Sequence, residues 1–244
     1  MVSKNQIKLI TSLQQKKYRK LHNLFIAEGF KVISELLKSD FTLHHLYETE
    51  SLFTNVEVLQ KSLICESDIK KISALTTAPN CLALFEIPSE KSVIKTGLIL
   101  ALDNVRDPGN LGTIIRLCDW FGVEQIVCSK GTVDLYNPKV IQATMGSISR
   151  VQMKYCDLVD YLSETRLPIF GTFMDGENIY KTDLPNEAVL VMGNEANGIS
   201  KTVEDLINSK VSIPRFSKLQ QTESLNVATA TAIFLSEFKR PSGK

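Results

Sequence analysis

The chain has 244 residues, 43% of them hydrophobic, and its 28 Lys and Arg against 27 Asp and Glu leave a formal net charge of +1. That suits one large or two modest domains and argues against a disordered or fibrous chain. No stretch reaches the ~18 apolar residues of a membrane span, the N-terminus lacks a signal-peptide core, and the five cysteines (Cys65, Cys81, Cys118, Cys128, Cys156) are scattered without a CxxC, so reduced packing thiols, no metal and a cytoplasmic setting are expected.

Charge is unevenly placed. Residues 1–27 hold Lys4, Lys8, Lys16, Lys17, Arg19 and Lys20, with no acid before Glu28. A local basic patch attracts a polyanion more than net charge does, although a basic run can also be a solvated helix face. Ser3-Lys4-Asn5-Gln6 reads as a capping box, followed by Ile7, Leu9, Ile10 and Leu13 at helical spacing. Leu24–Ala27 is a strand, and Phe30, Val32, Ile33, Leu36 and Leu37 mark a helix. Leu43–Tyr47 is a strand, Ser67 is placed to cap a helix through Ile69, Ile72 and Leu75, and Cys81–Phe85 is a buried strand. Residues 1–88 therefore read as a small α/β domain. The polar, proline-led segment 89–96 reads as a linker, and 97–244 as a second α/β domain.

In that second domain, Gly97–Leu102 is a short apolar run that reads as a buried parallel strand. Asp107-Pro108-Gly109 makes a turn, Asn110 is expected at the helix cap, and Leu111, Ile114, Ile115, Leu117 and Cys118 continue as a helix ending near Gly122. Arg116 lies six residues beyond Asn110. Further on, Gln125–Cys128 is a strand, Asn137-Pro138 opens a helix, and Arg150–Tyr155 and Ile169–Phe173 are strands. Val189–Met192 runs into the polar loop Gly193-Asn194-Glu195, and Val211-Ser212-Ile213 into a loop that leads to Ser224-Leu225-Asn226-Val227, where Ser224 is expected to cap the last helix. Polar loops at the carboxyl edge of parallel strands are where α/β proteins place ligand chemistry. The chain has no GxGxxG after a strand and no GxxxxGK[ST], and its three histidines (His22, His44, His45) all lie in the first domain. Chemistry in the second domain must use Arg, Glu, Asn, Ser and backbone groups.

These three blocks, in this order and spacing, resemble the signature motifs of the SpoU-type (TrmH-like) RNA 2′-O-ribose methyltransferases of the SPOUT superfamily. The resemblance implies an α/β SPOUT-type domain with a trefoil knot, a C2 homodimer and S-adenosylmethionine as cofactor. It implies a catalytic set of Asn110, Arg116, Glu195, Ser224 and Asn226. Cofactor contacts are implied for Met192, Gly193, Asn194, Ile213, Leu225, Asn226 and Val227. The Arg19…Phe25-Ile26-Ala27-Glu28-Gly29 run resembles the family's N-terminal RNA-binding domain, a fold similar to ribosomal protein L-thirty-e, with Lys16, Lys17, Arg19 and Lys20 as RNA contacts. The implied substrate is RNA, ribosomal rather than transfer RNA. A transfer-RNA methyltransferase and a non-catalytic RNA-binding protein with the same fold remain alternatives. The loop from Arg215 to Glu223 is longer and more polar than the family's usual spacing, with no glycine. A guanidinium is a poor base at neutral pH, so the role expected of Arg116 is to grip phosphate and stabilise a developing alkoxide.

Overall fold

The first helix, α1 (Lys4–Ser12), is closed by its capping box: the Ser3 hydroxyl accepts from the Gln6 N–H at 3.3 Å, and Gln6 Oε1 accepts from the Ser3 N–H at 2.9 Å. The computed structural model describes residues 1–90, 92, 94–217 and 224–240. Two of the linker residues, at 91 and 93, and the loop from 218 to 223 lie outside that description.

Two units emerge: Met1–Glu90 with Asp134–Ser149, and Lys91–Val133 with Arg150–Lys244. In the first, α2 (Lys16–His22) ends on Asn23, whose φ of 54° is a left-handed cap that Asn tolerates. β1 (Leu24–Glu28), α3 (Phe30–Leu37), β2 (Leu43–Glu48), β3 (Lys61–Leu63), α4 (Glu66–Ile72) and β4 (Cys81–Glu86) follow. The sheet order is β1-β4-β2-β3, antiparallel except for the parallel β2–β3 pair. Ile10 of α1 and Leu13, its C-cap, join Leu24, Ile26, Leu82 and Leu84 from the sheet in one buried cluster. Ser67 does not cap α4; Cys65 holds that position without a side-chain bond, and the helix stops at Ile72, short of Leu75.

The segment Asp134–Ser149 carries α6 (Pro138–Thr144), capped as expected by Asn137 with proline in the first turn. The sequence order assigns it to the second domain, yet it packs in the first unit, against β1 and α3. The reasons are specific. The Tyr136 ring lies 4.9 Å from that of Phe25, and Asp134 Oδ2 accepts from Arg19 Nε at 3.1 Å.

In the second unit, β5 (Leu98–Leu102), α5 (Pro108–Trp120), β6 (Gln125–Ser129), β7 (Gln152–Cys156), α7 (Leu158–Glu164), β8 (Ile169–Asn178), β9 (Ala188–Met192), α8 (Lys201–Glu204), β10 (Ser209–Ser212) and α9 (Val227–Lys239) build a parallel sheet of order β10-β8-β9-β5-β6-β7. Every residue of β5 and β9 is buried, as a central parallel strand requires. Ile99, Ala101, Val127, Val189 and Val191 alternate onto one face, where they meet Leu158, Leu162 and Val203 from α7 and α8. α5 packs against α9. α5 ends where expected, with Gly122 at φ 65° just past it. No described helix is long and apolar enough to cross a membrane.

Candidate functional site

The carboxyl edge of the sheet is built first by backbone ties. The β5 strand continues into Asp103, whose N–H donates to the Met192 carbonyl at 2.9 Å, so the ends of β5 and β9 are locked in register. The Asp103 carboxylate is buried, but it accepts from the Ser200 N–H and from Asn104 Nδ2, each at 2.8 Å. Asn104 sits at φ 59°, a left-handed conformation that its neighbours hold. Its N–H donates to Ser129 Oγ at 2.8 Å and its carbonyl accepts from Asn194 Nδ2 at 2.6 Å.

The β9 loop is folded on itself. Asn194 and Gly198 exchange two backbone hydrogen bonds of 2.9 Å, and Asn194 Oδ1 accepts from the Ala196 and Asn197 N–H groups. Gly193 is where this loop closes. A side chain there would run into the backbone of Gly198 and Ile199. The glycine therefore serves the loop's own close approach.

Two caps differ from expectation. Asp107, not Asn110, is the N-cap of α5, and its Oδ1 accepts from the Asn110 N–H at 2.7 Å. Pro108 occupies the first turn, so the cap must precede it. Asn226, not Ser224, is the N-cap of α9, its Oδ1 accepting from the Ala228 and Thr229 N–H groups at 3.0 and 3.2 Å. Ser224 lies two residues earlier, exposed and outside the helix.

Relieved of capping, the Asn110 side chain links the first turn of α5 to the loop after β9 and to the N-cap of α9. Its Nδ2 donates to Glu195 Oε1 at 2.8 Å, and its Oδ1 accepts from Asn226 Nδ2 at 2.9 Å. The structure thus brings together Asn110, Glu195 and Asn226 from the sequence-derived set. Arg116 is exposed on α5, about 9 Å along the axis from Asn110 and about 120° around it. It makes no hydrogen bond to that trio among the described residues. Leu225 beside Asn226 is exposed, Ile213 at the end of β10 is half-buried, and Met192 and Val227 are buried. Asp103, Asn104, Asp107 and Ser129 are the site-shaping residues that sequence reasoning missed. Asp and Asn at the carboxyl end of β5 were the signal for the first three, and Ser129 had none.

Among the expected RNA contacts, Lys17 and Lys20 are exposed on α2. Lys16 is half-exposed, 3.8 Å from Asp134. Arg19 requires a correction. It is buried, donating to the Leu13 and Gln14 carbonyls at 2.8 and 2.9 Å and to Asp134, so it ties the fold together and does not face solvent.

All five cysteines are free thiols, and burial pushes the Cys81 thiol up to about 11 and raises those of Cys118 and Cys128 as well. Nucleophilic thiolate chemistry is disfavoured at those three.

Residues 97–236 match the sequence model of the SpoU rRNA Methylase family, and residues 4–83 that of the MRM3-like substrate binding domain. A 23S rRNA (guanosine(2553)-2′-O)-methyltransferase, RlmP, from Bacillus subtilis is 29% identical over 241 residues, 96% of each chain. Among solved structures, a Porphyromonas gingivalis protein assigned to the TrmH family of RNA methyltransferases is 40% identical over 99% of this chain and 100% of its own, with a TM-score of 0.90. An S-adenosylmethionine-bound rRNA methyltransferase from Sinorhizobium meliloti is 27% identical over 100% of this chain and 98% of its own, with a TM-score of 0.85.

Proposed function

The chain belongs to the SpoU rRNA methylase family, and from that premise we propose that it transfers a methyl group from S-adenosylmethionine to a ribose 2′-hydroxyl of ribosomal RNA. The observation that carries this reading is the hydrogen-bonded Asn110–Glu195–Asn226 trio, assembled from the first turn of α5, the loop after β9 and the N-cap of α9 in the unit built on a parallel sheet. Two of its whole-length relatives, those from Bacillus subtilis and Sinorhizobium meliloti, are rRNA enzymes by name, and the N-terminal unit carries the substrate-binding match.

The residues suit the cofactor chemically. A carboxylate, Glu195, complements a sulfonium charge, and the exposed Leu225 with the half-buried Ile213 offers apolar surface to an adenosine at the same sheet edge. When bound, S-adenosylmethionine supplies an electrophilic methyl group on a sulfur that leaves as a neutral thioether. The protein's work is then orientation and charge. Met192, Gly193, Asn194, Ile213, Leu225, Asn226 and Val227 hold the cofactor. Glu195, fixed by the Asn110 amide, is aimed by that bond and not by its own rotamer freedom. The exposed Arg116 grips substrate phosphate and stabilises the negative charge that develops on the ribose 2′-oxygen, whose proton is released to water as the oxygen–methyl bond forms and the sulfur–methyl bond breaks. Ser224 completes the polar set on the RNA side. The same reading takes the second unit as a trefoil-knotted domain that pairs as a C2 homodimer, and the first as a fold similar to ribosomal protein L-thirty-e. It places the enzyme in the cytoplasm.

Incubation with tritiated S-adenosylmethionine and total RNA tests this directly. Label should enter ribosomal RNA at a ribose 2′-oxygen. Arg116→Ala should abolish transfer while cofactor affinity stays within a few-fold. RNA binding without any label would favour a non-catalytic RNA-binding protein, and near-normal turnover in Arg116→Ala would overturn the role given to that residue.

A further inference from the structure

Outside the candidate active site, the first unit carries a groove of about 540 Å³ between α1 and α2. Asn5, Lys8 and Ser12 line it from α1, at the i, i+3 and i+7 positions of one helical stripe. That stripe is distinct from the one that sends Ile10 and Leu13 into the core. Across the groove stand Tyr18 and His22, at i and i+4 of α2. Their ring centroids are 6.5 Å apart at an interplanar angle of 21°, a near-parallel pair at the groove wall. Lys17, outside the groove lining, places its Nζ 4.7 Å from the Tyr18 ring centroid. No acid occurs anywhere in residues 1–27.

We propose that this groove captures one unstacked nucleotide of the RNA substrate, its base lying against the Tyr18–His22 ring pair and its phosphates met by Lys8 and Lys17. The inference rests on the proposed RNA substrate and adds the form in which that substrate is read. Lysines alone would suit any polyanion, a duplex included. Parallel rings inside the same groove suit a base face, which a duplex buries in its own stack. The volume fits a nucleotide-sized ligand. The side-chain amide of Asn5 and the hydroxyl of Ser12 bring hydrogen-bonding groups within the same cavity for a base edge.

The test uses the full chain with a short single-stranded RNA and a duplex of the same composition, each at two salt concentrations. Tyr18→Ala combined with His22→Ala should weaken single-strand binding by about tenfold or more, the loss of a base–aromatic stack. It should leave duplex binding and the salt dependence as they were. Lys8→Gln combined with Lys17→Gln should instead flatten the log–log salt slope by about 0.7 per lysine on single strands. Tyr18→Trp, which keeps a ring, should bind like wild type and so separates stacking from folding. Unchanged single-strand affinity in the double alanine variant, an equal loss on duplex, or Tyr18→Trp failing as badly as alanine would overturn the proposal. Methylation of ribosomal RNA by the wild-type chain reports separately on the enzymatic reading. Activity in wild type with unaltered RNA affinity in the double variant discards the groove alone. An inactive wild type discards the activity while the binding contrast still decides the groove.

Discussion

Asn110 and Asn226 are 116 residues apart in sequence, yet Asn226 Nδ2 donates to Asn110 Oδ1 at 2.9 Å. The bond has a direction that the last helix imposes. Asn226 Oδ1 is committed to the Ala228 and Thr229 N–H groups, so only its Nδ2 can point at Asn110. Asn110 must answer with Oδ1, which leaves its own Nδ2 for Glu195 at 2.8 Å. The N-terminus of α9 thus sets the orientation of a carboxylate two hydrogen bonds away.

Asn226→Asp separates this relay from helix capping. Aspartate caps as well as asparagine, so Tm should move little. It has no amide donor, however, and it sets a carboxylate against Asn110 Oδ1, favouring a flip that turns Asn110 Oδ1 toward Glu195. Methyl transfer should fall by about a hundredfold, the scale of losing one oriented donor. Asn226→Ala should additionally cost about 1 kcal/mol through the lost cap. Near-normal turnover in Asn226→Asp, measured beside its melting curve, would sink the relay.

Gly193→Ala tests the loop closure. The added methyl would meet the Gly198 and Ile199 backbone, which no side-chain rotation can relieve. The loop must open, breaking the paired Asn194–Gly198 bonds. A stability loss of about 1–3 kcal/mol is expected, together with weakened S-adenosylmethionine binding by calorimetry. Unaltered Tm and affinity would show that the loop has slack.

The strand–turn–helix at Leu98–Trp120 was readable because an apolar run, Asp-Pro-Gly and helical spacing agree over adjacent residues. The choice between Asp107 and Asn110 as cap was also readable in principle, since proline favours the first helical turn and puts the cap before it. Ser224 and Asn226 are both good caps, and only the point where α9 begins separates them. Lys61–Leu63 escaped notice because three residues carry no periodicity and owe their strand to pairing with β2. Burial of Arg19 was unreadable for another reason: it depends on Asp134, 115 residues away. The alliance of Asn110, Glu195 and Asn226 was likewise visible only as three separate polar loops until the sheet order joined them.

The two kinds of cation on α2 should behave oppositely. Arg19→Ala removes the hydrogen-bonded partner of Asp134, leaving it only Lys16 at 3.8 Å, and takes the donors from the Leu13 and Gln14 carbonyls. Because Asp134 keeps some solvent contact, the cost should sit near the low end for a broken buried pair, about 3 kcal/mol. Lys17→Ala with Lys20→Ala should leave Tm unchanged, raise KM for RNA and flatten its salt dependence, with kcat little altered. If the lysine variant melts early, or Arg19→Ala melts normally, the division between structural and RNA-facing charge is wrong.

The last prediction concerns residues 134–149. A fragment from Lys95 onward contains all three motif blocks and, by sequence order alone, should stand by itself. It would also carry Leu135, Val140, Ile141 and Ile148, which are buried in the unit formed with residues 1–90. Cut from β1 and α3, those side chains would face water at about 25 cal/mol for each Å² of apolar area. The fragment should therefore aggregate or bind a hydrophobic dye. The same fragment with 134–149 replaced by a short Gly/Ser loop should be soluble and still bind S-adenosylmethionine, because no residue of the Asn110–Glu195–Asn226 trio lies in the deleted stretch. Size-exclusion chromatography and calorimetry on the two fragments decide the matter. Equal solubility of both would mean that the segment's apolar face can be satisfied without the first unit, and its assignment there would lose its energetic basis.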